Sequence, residues 1–381
     1  MVTKTIQAIY KINLGIKRDE RVLVFTDRIT PSEVLHENDL CRRERLRDIA
    51  LLTVEIGKAF TRKIAYHEYA ATGSHGAEPP EELWGMAFGQ KAVGELKRHR
   101  LLAQLIKKGI TDDGIKKAEA IISKNKRSAV NAVIALSNYS TSHTRFRDFL
   151  TRVCGCRYAS MPIFEFSMLE SSMNVDWKRL SKRTKAIAKI INTTEAIEIK
   201  APNGTHITLS KKDRQALSDD GILTKPGSFG NLPAGEVFLA PVEGSAEGKL
   251  VLEWAPTREL KSPITLIIEG GVVREIIGNE PYADYLREKL NERDENRNIA
   301  ELGIGTNDRA KRPDNILESE KILGTIHIAL GDNSSFGGNV KTPFHQDFVF
   351  FKPTVMLKTK DNKCVYLLKD GILSPKRELS C

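Results

Sequence analysis

Long apolar runs are missing from this 381-residue chain. Nowhere do about 18 hydrophobic residues follow one another, so the sequence predicts no membrane-spanning helix. The opening MVTKTIQAIYKINLGIK has neither an apolar core nor a small-residue cleavage site, so no secretory leader is expected. Cysteine is scarce. The five residues Cys41, Cys154, Cys156, Cys364 and Cys381 are odd in number and irregularly spaced, which reads as reduced thiols in a cytoplasmic protein. Several catalytic signatures are also absent: GxSxG, HExxH and paired CxxC do not occur. The stretch from Gly244 to Leu250, GSAEGKL, imitates a phosphate loop but is one residue short and lacks the terminal hydroxyl, so it reads as a turn. The CGC run from Cys154 to Cys156 has the wrong spacing for a redox pair and suits packing.

What is present suits a globular protein with a sizeable interior: 40% hydrophobic and 28% charged side chains. The length calls for more than one core, and the reading divides the chain into residues 1–192 and 193–381. The first part alternates strands and helices. Arg21 to Asp27 is a β-branched run, Asp39 to Lys63 is helical in character, and two helices are expected between Gly94 and Lys126. Ala129 to Leu136 is almost wholly apolar, as a strand covered on both faces should be, and a helix follows from Arg145 to Val153. This alternation predicts a doubly wound parallel sheet. The helix from Asp176 to Ile191 joins the halves. Beyond it come short strands at 196–200, 205–209, 249–253, 264–269 and 272–277, separated by turn pairs such as Asn203-Gly204 and Gly270-Gly271. With one helix from Tyr282 to Arg293, the second part reads as α+β with a mainly antiparallel or mixed sheet.

Four segments of the second part place an acid or a histidine among apolar residues. In NLPAGEVFLAP, Glu236 follows a Pro-Ala-Gly turn. In NIAELGIGTN, Glu301 stands within an apolar strand. In GTIHIALGDN, Thr325, His327 and Ala329 share one face while Ile326, Ile328 and Leu330 take the other. In PFHQDFVFF, His345 and Asp347 lie two apart and point to one side if extended. Burying ionised carboxylates without partners costs several kcal/mol or more. No basic residue lies within these strand-like cores, although one from elsewhere in the fold could serve. A divalent cation satisfies the acids together, and two histidines complete a mixed nitrogen and oxygen set suited to zinc, cobalt, manganese or iron. His143 is a further candidate. It follows the buried strand in the turn SNYSTSHT, where ligands of open α/β sheets bind, although Ser142 or His143 could equally cap the next helix.

These segments resemble the aminopeptidase T and aminopeptidase S family, metallo-aminopeptidases of the thermophilic, leucyl aminopeptidase-like type. The resemblance is carried by NLPAGEVF, AELGIGTN, GTIHIALG and HQDF, and more loosely by RVLVFTD, STSHTRFR and RYASMP. It implies two divalent ions held by Glu236, Glu301, His327, His345 and Asp347, with a shared water attacking the first peptide bond of a substrate. Glu301 then shuttles the proton to the leaving amine, and a homodimer is implied. Where the family has a tyrosine, seven residues after the first histidine, this chain has Ser334, which takes over the donor role, and the stretch from His327 to His345 is shorter. The same superfamily includes a ring-cleaving dioxygenase of 2,5-dihydroxypyridine that uses one iron. On that alternative His327, His345 and Asp347 form a two-histidine, one-carboxylate set, and Glu236 and Glu301 are surplus negative charge. A third reading takes the Lys- and Arg-rich helices around Lys97 to Lys126 and Lys178 to Lys189 as the surface of a basic binding protein with a vestigial metal site. No aromatic interleaving supports nucleic acid.

Overall fold

The computed structural model describes all residues except 32, 34, 36, 257, 362, 375–377 and 381, and leaves out the side chains of 37, 38 and 378–380. His36 and Cys381 therefore lie outside the described residues. The chain forms two compact units. One comprises Met1–Trp177 with Gly221–Pro233, and the other Lys178–Asp220 with Ala234–Cys381.

The first unit is built on a parallel sheet. Its strands β1 (Arg21–Arg28), β2 (Lys63–Ala70), β3 (Ala132–Ala135) and β4 (Arg157–Ser160) are joined by a short strand from the returning segment, β8 (Phe229–Asn231). The order is β2-β1-β3-β4-β8, every pair parallel. β3 and β4 are buried along their whole length, and β3 runs apolar without alternation, as a strand covered on both faces should. Against this sheet pack Trp84, Phe88, Phe146 and Phe149 with the helical leucines Leu96, Leu102 and Leu105. Cys156 is part of the same core, consistent with a packing role for CGC.

Local details differ from the sequence reading in ways that have physical causes. The helix expected to reach Lys63 spans Glu37–Gly57 and stops there. A side chain at Gly57 would meet the Tyr10 ring and Ile64. Lys63 then opens β2, an unanticipated strand whose polar KIAYHEYA composition hid it. Between Gln90 and Asn125 there are three helices rather than two, because Arg100 turns left-handed (φ 58°) and splits the first. Of the described cysteines, Cys41, Cys154 and Cys156 are free, but Cys364 is disulfide-bonded, so the reading of reduced thiols is corrected there. An irregular cysteine count does not report whether one bond forms.

The second unit holds two antiparallel sheets. The larger contains β5 (Thr194–Lys200), β6 (His206–Ser210), β10 (Glu247–Ala255), β11 (Arg258–Glu269), β12 (Val272–Ile277), β16 (Thr354–Thr359), β17 (Lys363–Lys369), β18 (Ile372–Leu373) and β19 (Glu378–Ser380). The smaller contains β7 (Leu217–Asp219), β9 (Glu236–Leu239), β13 (Ile299–Gly305), β14 (Ile326–Gly331) and β15 (His345–Phe350), in the order β15-β14-β13-β9-β7. Between them lies a core of Ile, Leu and Val that also takes in Leu286 and Leu290 of the helix Pro281–Glu292. A doubly wound parallel sheet followed by an α+β part with antiparallel sheets is the fold class read from the sequence. Among the described residues no helix is long and apolar enough to cross a membrane. Two basic residues of the helix Trp177–Ile191 form ion pairs within this unit: Arg183 with Asp308 at 3.1 Å and Lys185 with Asp220 at 2.7 Å.

Candidate metal centre

The smaller sheet explains how the distant segments converge. Side chains alternate across a strand, so each strand here gives one face to the core and one to the site. Val237, Leu239, Leu302, Ile304, Ile326, Ile328, Leu330, Phe348 and Phe350 all enter the core. The register sets the remaining positions side by side: Glu236 opposite Gly305, Phe238 opposite Gly303, Gly303 opposite His327, Glu301 opposite Ala329, and Ala329 opposite Asp347. His345, two residues before Asp347, shares its face. The five residues read from the sequence as ligands thus stand on one face of one sheet.

Their atoms are close. His327 Nε2 lies 3.4 Å from Glu301 Oε1 and 3.4 Å from Glu236 Oε2. His345 Nε2 lies 3.5 Å from Glu301 Oε2 and 3.5 Å from Asp347 Oδ1. These separations exceed a good charge-assisted hydrogen bond of about 2.7–2.9 Å. They are the spacing of two donors that each sit about 2.1 Å from a shared cation. Glu301, His345 and Asp347 form a trio whose ligand atoms all lie within 4.8 Å of one another, and among the described residues no other trio does so. Glu236 Oε2 is buried without a hydrogen-bond partner. The donor set therefore fits a divalent ion, and its mixture of carboxylate and imidazole suits iron, manganese or zinc.

The protonation balance tells the same story. Burial opposes a charge on His345, yet the Asp347 and Glu301 carboxylates outweigh it and hold the imidazole well above its usual range. His327, equally buried, is raised to about 9 by Glu301, Glu236 and Glu320. Burial raises Asp347 and Glu301, but the imidazoles prevail and hold both carboxyls below the ordinary range. The carboxylates around the two imidazoles thus favour their charged form against burial. Asp332 sets the orientation of His345: its backbone oxygen accepts from Nδ1 at 2.8 Å, which leaves Nε2 aimed at the acids. Phe336 meets the His345 ring edge-on at 6.1 Å, and Phe238 meets Phe336 at 5.7 Å, so an aromatic pair flanks the centre.

Sequence reasoning missed three features here. Lys321 is fully buried, with Nζ 2.7 Å from Glu236 Oε1 and 2.8 Å from Glu320 Oε2. Burial works against its charge, but Glu236, Glu320 and Asp219 keep it protonated. Burial also pushes the Glu320 carboxyl up to about 7. In the run LESEKILG such residues read as an exposed charged turn, which hid both. The third feature is Gly303, where an added Cβ would lie 1.9 Å from the His327 ring, so only glycine leaves room for that imidazole. A glycine amid apolar strand residues was the one available signal.

The other two candidates belong to no strand of this sheet. Ser334 is exposed and its hydroxyl donates to the Asp332 carboxylate at 3.1 Å. His143 is exposed in the turn after β3, in the first unit. The cap of the helix Arg145–Asp148 is Thr144, which accepts from Arg147 N at 3.1 Å, rather than Ser142 or His143.

Comparison with known proteins bears on the chemistry. The family described as NicX: 2,5-dihydroxypyridine 5,6-dioxygenase matches residues 112–366. A curated 2,5-dihydroxypyridine 5,6-dioxygenase of Pseudomonas putida is 28% identical over 207 residues, which cover 50% of this chain and 58% of that protein. The matched part thus spans less than two thirds of the relative. The solved 2,5-dihydroxypyridine dioxygenase of Pseudomonas putida KT2440 superposes with a TM-score of 0.66 at 19% identity, covering 98% of this chain and 96% of that one. Wild-type AmpT from Thermus thermophilus superposes at 0.55 with 14% identity, covering 98% and 99%. At such identities the two superpositions show a shared fold. The reading as a metallo-aminopeptidase, a hydrolase releasing N-terminal residues, is overturned by the family match and the curated relative, which point to an oxidoreductase. Its physical flaw was to count carboxylates without the ammonium: Lys321 neutralises Glu236, so the argument that surplus acids demand two ions fails. On the match to two thirds of its length, the chain belongs to the 2,5-dihydroxypyridine 5,6-dioxygenase family.

Proposed function

We propose that this chain is a mononuclear iron(II) dioxygenase that opens a hydroxylated nitrogen-containing aromatic ring of the 2,5-dihydroxypyridine type. The observation that carries the reading is the compact trio Glu301, His345 and Asp347, one donor set for one ion, in a chain of this family. Bound iron(II) supplies the one-electron chemistry that lets ground-state O2 react with a closed-shell ring. The remaining work falls to side chains. His345, fixed through Nδ1 by Asp332, presents Nε2 without needing to reorganise. His327, 3.4 Å from carboxylates on either side, holds a proton next to Glu301 and can exchange it with a hydroxyl of the substrate. Phe336 and Phe238 offer an apolar edge against which a flat ring packs.

The test is anaerobic loading with iron(II), followed by oxygen-electrode and ultraviolet measurements with 2,5-dihydroxypyridine. The reading expects O2 uptake equal to ring loss and no amine release from amino-acid p-nitroanilides. Nitroanilide cleavage with no O2 uptake would contradict it.

A further inference from the structure

Lys321 is the strongest unassigned feature of the molecule. It is a fully buried ammonium clamped between Glu236 and Glu320. The second oxygen of Glu236 lies 3.4 Å from His327 Nε2, and that nitrogen lies 3.4 Å from Glu301 Oε1. Glu236, His327 and Glu301 therefore sketch a second donor group, with Glu301 common to both groups. That group is looser: His327 is close to each acid, but among the described residues only Glu301, His345 and Asp347 have all their ligand atoms within 4.8 Å of one another.

We propose that Lys321 is a built-in cation that stands in for a second metal ion, restricting the centre to one. The inference rests on the one-ion reading above and deepens it. An ammonium 2.7 Å from Glu236 supplies the positive charge that a second ion would bring, and a buried carboxylate needs only one such partner. Lys321 offsets the charge of Glu236 while also holding Glu320 at 2.8 Å, and Glu301 with Asp347 match the two charges of a single divalent ion. The lysine is also fixed in place. Lys321 N donates to Glu318 O at 3.0 Å and Lys321 O accepts from Asn307 N at 2.8 Å. The following residue presses so closely on β13 that a Cβ at Gly305 would lie 2.0 Å from Ile322 O. The backbone is thus anchored beside β13, and the two carboxyls at 2.7 and 2.8 Å hold the ammonium at the centre.

Manganese(II), which resists oxidation and has a distinctive paramagnetic resonance, is the probe. Manganese per chain and its spectrum are measured for wild type, Lys321→Met, Lys321→Arg and Glu236→Gln after loading and desalting. One equivalent with an isolated-ion spectrum is expected for wild type, Lys321→Arg and Glu236→Gln. Lys321→Met is expected to rise to two equivalents with the broadened spectrum of a coupled pair. Lys321→Met remaining at one equivalent overturns the proposal. So does Glu236→Gln falling to near zero, which would make Glu236 a ligand of the first ion and decides the question even if Lys321→Met does not fold. Wild type that binds no manganese overturns the one-ion reading itself.

Discussion

Gly303→Ala is the smallest change that should disable the centre. A Cβ at this position would stand 1.9 Å from both Cε1 and Nε2 of His327 and 2.7 Å from Cδ2. Non-bonded heavy atoms rest about 3.5–4.0 Å apart, so the imidazole must retreat by about 1.5 Å or more. It has little room, since His327 is 1% exposed and its ring faces Glu236 and Glu301. Overpacking of this kind costs about 1–3 kcal/mol. A misplacement near 1 Å of a reacting group costs about 100-fold in rate. The natural control is Gly94→Ala: Gly94 lies in the helix Gln90–Arg98 with nothing within 4 Å of the added methyl. There alanine should stabilise by about 0.5–1 kcal/mol and leave turnover unchanged. Urea unfolding and iron-dependent O2 uptake read both effects. Gly303→Ala with wild-type stability and rate would refute the claim that the flat floor of β13 places His327.

Other expectations address separate parts of the argument. His345→Ala should release the metal, seen as near-zero metal per chain after desalting, with the fold intact by circular dichroism. Arg157 is buried, donating to Leu14 O at 2.6 Å and pairing with Glu20 at 2.5 Å. Arg157→Ala should cost about 1–3 kcal/mol in denaturant unfolding, by leaving the Leu14 and Gly15 carbonyls without their donor, without altering metal content. Burial pushes the Glu78 carboxyl up to about 7 from its ordinary 4.5, although it accepts backbone bonds from Arg145 and Phe146. The folded state then holds this proton more tightly than the unfolded chain. The resulting stability, on the order of 3 kcal/mol, is full below pH 4.5 and lost as pH rises through about 7. Glu78→Gln should remove that component from the measured pH profile of unfolding. Thr144→Ala, which deletes a helix cap, should cost about 1 kcal/mol in the same assay.

The convergence of the site was legible because strand alternation is a local signal. Ile326, Ile328 and Leu330 enter the core, so His327 had to face the other way, and the same logic holds for Glu301 and for His345 with Asp347. The apolar strands of the parallel sheet were legible for a similar reason. What the pattern could not carry was charge arriving from outside the strands. Lys321 and Glu320 belong to a polar turn, and only the tertiary approach of that turn to β13 buries them. Without the lysine, three acids argue for two ions and hence for a hydrolase; with it, one ion suffices. β2 escaped notice because His67 and Glu68 interrupt any simple alternation in a strand that is only partly buried.

The most direct test of ring-cleaving oxygenation is turnover of 2,5-dihydroxypyridine by the iron(II)-loaded protein under ¹⁸O₂, with the product read by mass spectrometry. The account predicts two labelled oxygens in each opened ring. Label-free product, with oxygen drawn from water, would contradict it.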